Sequence, residues 1–291
     1  MFAGADCGFG ALPAISCGTL KVNEITLSCG SVPASGQEGT AITPPDLTCN
    51  HGTLGTPIWE NAPDWSSPAS GTYSNISVTA TCGLATKTAN CNGSLRVSPS
   101  ITHGGQTYKT VVIGKQTWMA ENLNYNPGTG NSTCYNNQAS NCTNYGRLYD
   151  WATAMNLASS CNTSFCTSQI QTKHRGICPI GWHIPSGGDW DALETAVGGR
   201  STAGTKLKAA SGWNGANGNG TNNYGFSALP GGYGNSSGSF LNVGNYGSWW
   251  SASEYSASNA YYHSMHYDGS AMYFGFGDSK SYLRSVRCIQ D

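Results

Sequence analysis

Twelve cysteines constrain the fold of this 291-residue chain more than any other feature of its sequence. Their number is even, they are spread along the chain, and no two of them form the Cys-x-x-Cys pair that is typical of zinc sites. In a chain rich in Gly, Asn and Ser, this pattern favours disulfides over zinc binding. Because disulfides persist in oxidising compartments, we expect a protein of the extracellular space or the cell surface.

The intervals between cysteines predict some of the pairs. Short intervals predict two local loop disulfides, Cys134–Cys142 and Cys161–Cys166. Cys7 and Cys17 are near enough in sequence to close one small N-terminal loop. The sequence leaves open how the next four cysteines pair; these are Cys29, Cys49, Cys82 and Cys91.

The low charge of the chain excludes several classes of partner. Charged residues make up only 10% of the sequence and the net charge is −1, so no basic patch predicts binding to nucleic acid or to an anionic membrane. Aromatic residues make up 11%, which is too many for a disordered chain. Neither a membrane-spanning run of apolar residues nor a targeting segment is visible, so we expect any such signal to lie outside this chain.

Composition divides the chain into three regions. Residues 1–22 form a Gly/Ala/Pro-rich segment with two cysteines. Residues 23–100 contain short β-type runs between Pro, Gly and Ser residues, which predicts a small all-β, immunoglobulin-like module held together by disulfides. We expect this module to be a stalk. Residues 101–291 form an α+β region.

The third region is organised around Tyr224–Cys288, where Tyr, Trp and Phe are interleaved with Ser, Gly, Asn and His. Two alternating runs, Ala260–Tyr267 and Ser270–Phe276, flank Asp268-Gly269 and predict a β-hairpin whose two turn residues have positive φ. A hairpin presents its side chains in two rows. Rows of Tyr and Ser supply rigid, amphipathic contact area, as in antibody paratopes, so the pattern predicts a binding surface.

Two helices and a second hairpin are predicted before this stretch. The helical spacing of apolar residues predicts one helix over Tyr145–Leu157. A second helix is predicted to begin at the capping-box-like Ser186-Gly-Gly-Asp189 and to end at Gly198-Gly199. The second hairpin is predicted to turn at Gly114-Lys115.

A series of motifs identifies a family. They are Tyr108-Lys-Thr-Val-Val-Ile-Gly-Lys-Gln-Thr-Trp-Met-Ala-Glu-Asn-Leu-Asn124, Tyr145-Gly-Arg-Leu-Tyr-Asp-Trp151, Cys178-Pro-Ile-Gly-Trp-His-Ile-Pro185 with Trp190, Gly225-Phe-Ser-Ala-Leu-Pro-Gly-Gly-Tyr233, Trp249-Trp-Ser-Ala-Ser-Glu-Tyr255 and Ser285-Val-Arg-Cys288. In this order, from about residue 104 to the C-terminus, they closely resemble the Fibrobacter succinogenes major paralogous domain family. This family is named for its abundance in a genome, not for an activity.

The resemblance implies a C-type-lectin-like fold, related to formylglycine-generating enzymes and to the variable proteins of diversity-generating retroelements. Because the family pattern carries both Cys178 and Cys288, it also implies a disulfide between them. Formylglycine-generating enzymes use two cysteines that lie close together near the end of the domain, whereas this chain has only Cys288 there. Likeness of fold does not transfer activity, so the resemblance does not predict an enzyme.

The residues give little support to catalysis by histidine, to a histidine metal site or to calcium binding. His183 lies inside a family motif, which favours a buried, hydrogen-bonded histidine over a catalytic one. His263 and His266 would point to opposite faces of a strand and so make a poor metal pair. The calcium-binding motifs of C-type lectins are absent, and the Asn-rich loop Asn214–Asn223 carries no carboxylate. We therefore predict no cofactor, with calcium as the alternative.

Candidate ligand-binding residues lie within this C-terminal stretch and are small, polar or aromatic. Several are of the kinds that mutation of an Asn codon at its adenines produces, which the resemblance connects with retroelement diversification. The candidates are Trp249, Ser253, Tyr255, Ser258, Asn259, Tyr261, His263, Tyr267, Tyr273 and Asp278. For Trp249 the alternative is a packing role within a family motif.

The sequence therefore predicts a non-catalytic extracellular or cell-surface protein that binds a protein or glycan ligand, as in adhesion. One alternative is a formylglycine-generating-type oxidase or a hydrolase. The other is a structural surface or pilus-associated subunit.

Overall fold

A computed structural model describes residues 26–37, 41–50, 53–66, 71–82, 85–98, 100–216 and 218–291. The predicted Cys7–Cys17 loop lies outside these ranges. The chain divides into two compact units. The first contains the described residues up to Val32 together with Pro45–Ala62 and Asn75–Gly93. The second contains Pro33–Pro44, Pro63–Ser74 and Ser94–Asp291, so residues 23–100 contribute to both units.

Most of the regular structure is β-sheet, as short alternating runs between Gly, Pro and Asn residues predict. The strands of the described residues are β1 Leu27–Cys29, β2 Ser35–Gln37, β3 Leu47–Cys49, β4 Ile58–Glu60, β5 Gly71–Tyr73, β6 Ser77–Cys82, β7 Ala85–Asn90, β8 Leu95–Ser98, β9 Ser100–His103, β10 Gln106–Ile113, β11 Gln116–Met119, β12 Ser132–Thr133, β13 Leu148–Tyr149, β14 Trp182–His183, β15 Gly231–Gly234, β16 Phe240–Val243, β17 Tyr246–Glu254, β18 Asn259–His266, β19 Met272–Ser279, β20 Arg284–Ser285 and β21 Ile289–Gln290. The α-helices of the same residues are α1 Ala139–Tyr145, α2 Trp151–Ala154, α3 Gly187–Ala196 and α4 Arg200–Leu207.

The first unit contains two antiparallel sheets, β1-β3 and β4-β6-β7. Two disulfides, Cys29–Cys91 and Cys49–Cys82, connect its segments. Its core is small and centres on Ile76 and Val78, which are fully buried. Cross-links are expected where so little apolar surface is available.

The second unit is built on a six-stranded sheet of order β12-β13-β20-β17-β18-β19 and a five-stranded sheet of order β14-β21-β11-β10-β9. Neighbouring residues of β17 point to opposite faces, as the two-residue period of a strand requires. Trp249 packs into an apolar cluster with Trp190 and Phe226. Trp250 packs into a second cluster with Trp151 and Tyr149. This alternation places the two tryptophans in separate apolar clusters, and a smaller third cluster contains Tyr135, Leu148 and Leu283.

A polar network holds the first of these clusters in place. The buried Asn122 Oδ1 accepts hydrogen bonds from Trp249 Nε1 at 2.8 Å and from Arg287 Nη2 at 2.7 Å. Burial lowers the pKa of the Arg287 guanidinium to about 9, although Glu121 acts in the opposite direction. Because these polar groups are paired, their burial does not carry the full cost of desolvation.

The three disulfides predicted in this unit are confirmed. Cys134–Cys142 and Cys161–Cys166 close short loops, and Cys178–Cys288 joins residues 110 positions apart. All ten described cysteines are therefore paired, which is typical of proteins outside the cytoplasm. Among the described residues, no helix is both long and apolar enough to cross a bilayer.

The prediction of one helix over Tyr145–Leu157 is wrong. The chain leaves α1 at Gly146, which has a left-handed φ of 79°, and Leu148–Tyr149 then pairs as a strand with β12 and β20. A new short helix, α2, begins after Asp150, whose carboxylate accepts a hydrogen bond from the Thr153 backbone at 2.7 Å. Local helix-ending and capping residues thus override the helical spacing of the apolar residues.

The second predicted helix is confirmed as α3, with a capping box between Ser186 and Asp189. Gly198 and Gly199 both have positive φ and end the helix, as predicted. The described residues nevertheless contain four helices rather than two. The sequence analysis missed α4 because its residues carry little apolar periodicity.

Both predicted hairpins form, but one turn differs from its prediction. Gly114 has a φ of 61° between β10 and β11, as a tight turn requires. In the C-terminal hairpin, the last pair is Met265 with Met272, so residues 266–271 make a longer connection. Neither Asp268 nor Gly269 has positive φ there, and the predicted two-residue turn is wrong.

Candidate functional site

Three adjacent strands, β17, β18 and β19, carry most of the Tyr-rich stretch. They pair antiparallel, and the register places Ser248 opposite Ser264, and Ser264 opposite Tyr273. Side chains at these positions share one face of the sheet. The next residue along each strand faces the other way, so the stretch presents two different surfaces.

One of these surfaces contains a cavity of about 150 Å³, which we name the tyrosine pocket. Strands β15, β17, β18, β19 and β20 contribute its lining residues. They are Tyr233, Tyr246, Ser248, Tyr262, Ser264, His266, Asp278 and Arg284. Aromatic walls with a few fixed polar groups are typical of ligand sites.

A stack of three rings crosses the strands beside the pocket. The ring centroids of Tyr246 and His266 lie 4.1 Å apart, and those of His266 and Tyr273 lie 4.3 Å apart, with interplanar angles below 20° in both pairs. Burial lowers the pKa of His266, as does the nearby Lys208, whereas Asp268 acts in the opposite direction. The imidazole is therefore uncharged at neutral pH.

Arg284 forms the base of the tyrosine pocket. Its guanidinium carbon lies 3.6 Å from the centroid of the Tyr262 ring, and it donates hydrogen bonds to Ser248 Oγ and Asp278 Oδ2. Its side chain is only 3% exposed. Burial lowers the pKa of Arg284, and the negative charge of Asp278 opposes that shift. The result is a fixed ion pair within an aromatic wall.

Gly275 explains how Tyr262 lies flat on the neighbouring strand. A Cβ atom at position 275 would come within 2.1 Å of the Tyr262 ring. A glycine is therefore required opposite this tyrosine, and a β-bulge between Ala260 and Tyr262 adjusts the register beside it.

The predicted ligand-binding residues do not share one surface. Tyr273 and Asp278 belong to the tyrosine pocket or its rim. Tyr255 and Tyr261 lie on the opposite face, where Tyr261 stacks on Phe274 at 4.9 Å and Tyr255 packs edge-on against Tyr261. Tyr255 and Tyr273 are exposed to similar degrees, 50% and 41%.

The prediction of a ligand-binding position at the surface is wrong for two residues. Trp249 and His263 are both fully buried. His263 stacks on Trp190 with ring centroids 4.8 Å apart and interplanar angle 20°, and Phe274 covers it at 5.2 Å. Each residue lies on the inward face of its strand, so its side chain packs in the core rather than against a ligand.

The other four predicted residues lie away from the pocket. Ser253 is half-buried, and its Oγ lies 3.4 Å from the Gly187 backbone nitrogen at the start of α3. Ser258 and Asn259 are joined by a side-chain hydrogen bond in the connection before β18 and at its start. Tyr267 lines a separate cavity in the turn after β18. Their side chains do not converge with Tyr273 and Asp278.

Sequence reasoning did not select most of the pocket. The residues it missed are Tyr233, Tyr246, Ser248, Tyr262, Ser264, His266 and Arg284. Tyr262, Ser264 and His266 are alternate residues of one strand, so they lie on the same face, and the sequence alone could have predicted this. Tyr233 and Arg284 come from other strands, and only the tertiary structure brings them together.

A larger cavity of about 630 Å³ lies between the 165–174 loop and the start of α3. Four of its ionisable side chains, Glu254, His174, His183 and Asp189, are engaged in bonds within the protein. Glu254 accepts from Lys280 at 2.6 Å and from Thr167 at 2.6 Å. His174 uses both ring nitrogens, one at 2.8 Å from the Met155 carbonyl oxygen and the other for the Gln171 backbone.

His183, also in this cavity, is buried and hydrogen-bonded, as predicted. Its Nδ1 lies 2.8 Å from Asp291 Oδ1, and its Nε2 lies 3.4 Å from Asp189 Oδ2. Burial alone would lower the pKa of His183, but the two carboxylates outweigh burial and raise it. This arrangement joins the last strand to the start of α3.

Within the ranges that the structure describes, no group of three or more His, Cys, Asp or Glu residues is placed to hold a metal ion. In the Asn-rich loop, Asn219 Oδ1 accepts from the Trp213 backbone and Asn222 Oδ1 from the Ser227 backbone. These amides support the loop itself.

Fold and site together define a disulfide-linked, β-rich α+β protein with an aromatic pocket near its C-terminus. The chain matches the model of the Fibrobacter succinogenes major domain over residues 111–290, and it belongs to that family. No curated protein and no solved structure matches the chain. Several of the motif residues named above, such as Trp118, Trp249 and Arg287, are fully buried. In this chain those motif positions build the scaffold.

Proposed function

We propose that this chain is a non-catalytic binding protein of the extracellular space or cell surface, and that the tyrosine pocket contacts its ligand. The finer fold assignment, a C-type-lectin-like domain, belongs to the same proposal. One observation carries it. Five strands converge on a cavity whose walls are tyrosine rings and whose base is the buried Arg284 paired with Asp278. Tyr and Arg are the residue types that dominate binding energy at protein surfaces.

The state of the cysteines supports binding over oxidase chemistry. Cys288 is buried and bonded to Cys178, so it offers no free thiol at that position. The proposed recognition uses no metal. It also fits a protein exported to an oxidising compartment, where a rigid, cross-linked scaffold holds side chains in place and so reduces the entropy lost on binding.

Adhesion and diversification by a retroelement are also part of the proposal. Of the residues predicted to vary, Tyr273 and Asp278 lie at the tyrosine pocket. If gene copies are diversified to change ligands, sequencing of paralogous copies should show variation at these two positions and none at the buried Trp249. Equal variation at buried and pocket positions would contradict diversification for binding.

Alanine substitutions on the two faces test the proposal. The pocket-side variant, Tyr246→Ala with Tyr273→Ala, is expected to weaken ligand binding by about thirtyfold or more, since truncating central aromatic contacts commonly costs about 2 kcal/mol. The matched control, Tyr255→Ala with Tyr261→Ala, removes two tyrosines from the opposite face and should bind normally. Affinity is measured by surface plasmon resonance, with the melting temperature of each variant measured in parallel. Equal losses in both variants would overturn the assignment of the pocket.

A further inference from the structure

We infer that the tyrosine pocket selects an uncharged, hydroxyl-bearing ring, as in a neutral saccharide, and that Asp278 sets this selectivity by neutralising Arg284. This inference rests on the proposed function and names the ligand class of the same site. The charge of the pocket, the kind of polar atoms it presents and its size all favour such a ligand.

The pocket contains opposite charges that cancel. Among its lining residues, Arg284 is positive, Asp278 is negative and His266 is uncharged at neutral pH. Arg284 is held by Asp278, Ser248 and the Tyr262 ring, so turning towards a new partner would break these contacts. An anionic ligand would have to displace Asp278 or lie beside its carboxylate, and a cationic ligand would meet Arg284. Both arrangements bring like charges together, which is unfavourable.

The remaining polar atoms are mostly hydroxyls. Tyr233, Tyr246, Tyr262, Ser248 and Ser264 line the cavity, and a hydroxyl can both donate and accept hydrogen bonds. Ser248 Oγ already accepts from Arg284, and Ser264 Oγ lies 3.2 Å from His266 Nε2, so each keeps only part of its hydrogen-bonding capacity for a ligand. A ligand that carries hydroxyl groups can satisfy both roles. Arg284 and the strand at Gly275 cover the Tyr262 ring, so Tyr233 and Tyr246 provide the apolar surface for the C–H face of such a ligand.

The cavity size limits what can enter. Its volume of about 150 Å³ is well below the roughly 300–1,000 Å³ of sites that enclose drug-sized molecules. That space admits one ring with its substituents, with the rest of the ligand outside. The terminal residue of a neutral glycan fits this description, whereas a folded protein surface would enter only through a single side chain.

The test compares matched neutral and acidic sugars with the full, oxidised chain. The probes are immobilised neutral oligosaccharides ending in glucose, galactose, xylose or mannose, and the same series ending in the corresponding uronic acid where one exists. We expect the native protein to bind at least one neutral member about tenfold or more tightly than its acidic partner. In the Asp278→Asn variant this preference should shrink or reverse. The control Asp191→Asn, which removes an exposed carboxylate outside the pocket, should leave it unchanged.

The outcomes separate the inference from the proposed function. The Asp278→Asn variant leaves a buried guanidinium without its counter-ion, so the melting temperature of this variant is measured first. The comparison of neutral with acidic sugars on the native protein does not depend on this variant. Preferential binding of the acidic members would overturn the inference. The inference would also be overturned if the chain bound no saccharide but bound a protein ligand, and if Tyr246→Ala with Tyr273→Ala abolished that binding. In that case the proposed function would stand. A saccharide bound equally well by that double variant would overturn both.

Discussion

Replacement of Cys178 and Cys288 by alanine is expected to lower the free energy of unfolding by about 4–5 kcal/mol. The disulfide joins residues 110 positions apart and connects the segment before β14 to the short connection between β20 and β21. Without it, the unfolded chain gains the entropy of a long open loop. Both cysteines are buried, so the space that the two sulfur atoms leave in the core adds to the loss. Equilibrium unfolding in guanidinium chloride measures the difference.

The second unit offers a control of the same kind. Cys134 and Cys142 are only 8 positions apart. For so short a loop, the chain-entropy model predicts that removal of the disulfide lowers the free energy of unfolding by about 2.5 kcal/mol. The expected order is therefore a larger loss for Cys178→Ala with Cys288→Ala than for Cys134→Ala with Cys142→Ala. Equal losses in the two variants would show that loop length does not decide the contribution of these cross-links.

Acid is expected to destabilise the fold through His263. Burial, with a smaller effect of Arg200, lowers the pKa of this histidine from 6.5 to about 3. The unfolded chain therefore takes up a proton between these values while the folded chain does not. Stability is fully present above pH 6.5 and falls with decreasing pH, by about 1.4 kcal/mol for each pH unit once the unfolded histidine is protonated.

The variant His263→Phe isolates this contribution. Phenylalanine keeps the ring packed on Trp190, and neither nitrogen of His263 has a hydrogen-bond partner among the described residues, so the variant should be at least as stable as the native protein at pH 8. Chemical unfolding is measured from pH 8 to pH 4, and the difference between the two proteins should grow as the pH falls. His183 is the comparison, because its pKa is raised and its stabilising effect is instead lost as pH rises. A constant difference between His263→Phe and the native protein would contradict the assignment.

Local signals predicted the parts of the fold that local physics determines. The capping box of α3, the two glycines that end it and the strands of both hairpins were predictable because a few neighbouring residues specify each of them. The family resemblance supplied Cys178–Cys288. The helix over Tyr145–Leu157 was predicted wrongly because Gly146 and Asp150 outweigh apolar spacing. The length of the 266–271 connection depends on strand register, which turn residues alone do not determine.

The site was predictable only in its location along the chain. A Tyr-rich C-terminal stretch indicated a binding surface, but the face that each side chain occupies depends on register, and a shift of one residue reverses it. His263 and Tyr262 are neighbours in sequence, yet one lies in the core and the other against Arg284 in the pocket. Arg284 itself gave no signal, because its role comes from a ring and a carboxylate on other strands.

Chemical footprinting of tyrosines tests the central claim most directly. Without ligand, Tyr273 and Tyr255 are similarly exposed, at 41% and 50%, and should be nitrated by tetranitromethane at comparable rates. Of the ligands tested in the binding assays, the one that binds most tightly is then added at a saturating concentration. Nitration of each tyrosine is followed by mass spectrometry. A ligand in the tyrosine pocket is expected to protect Tyr273 and leave Tyr255 reactive. Protection of Tyr255 with Tyr273 still reactive would place the binding site on the opposite face and contradict the account.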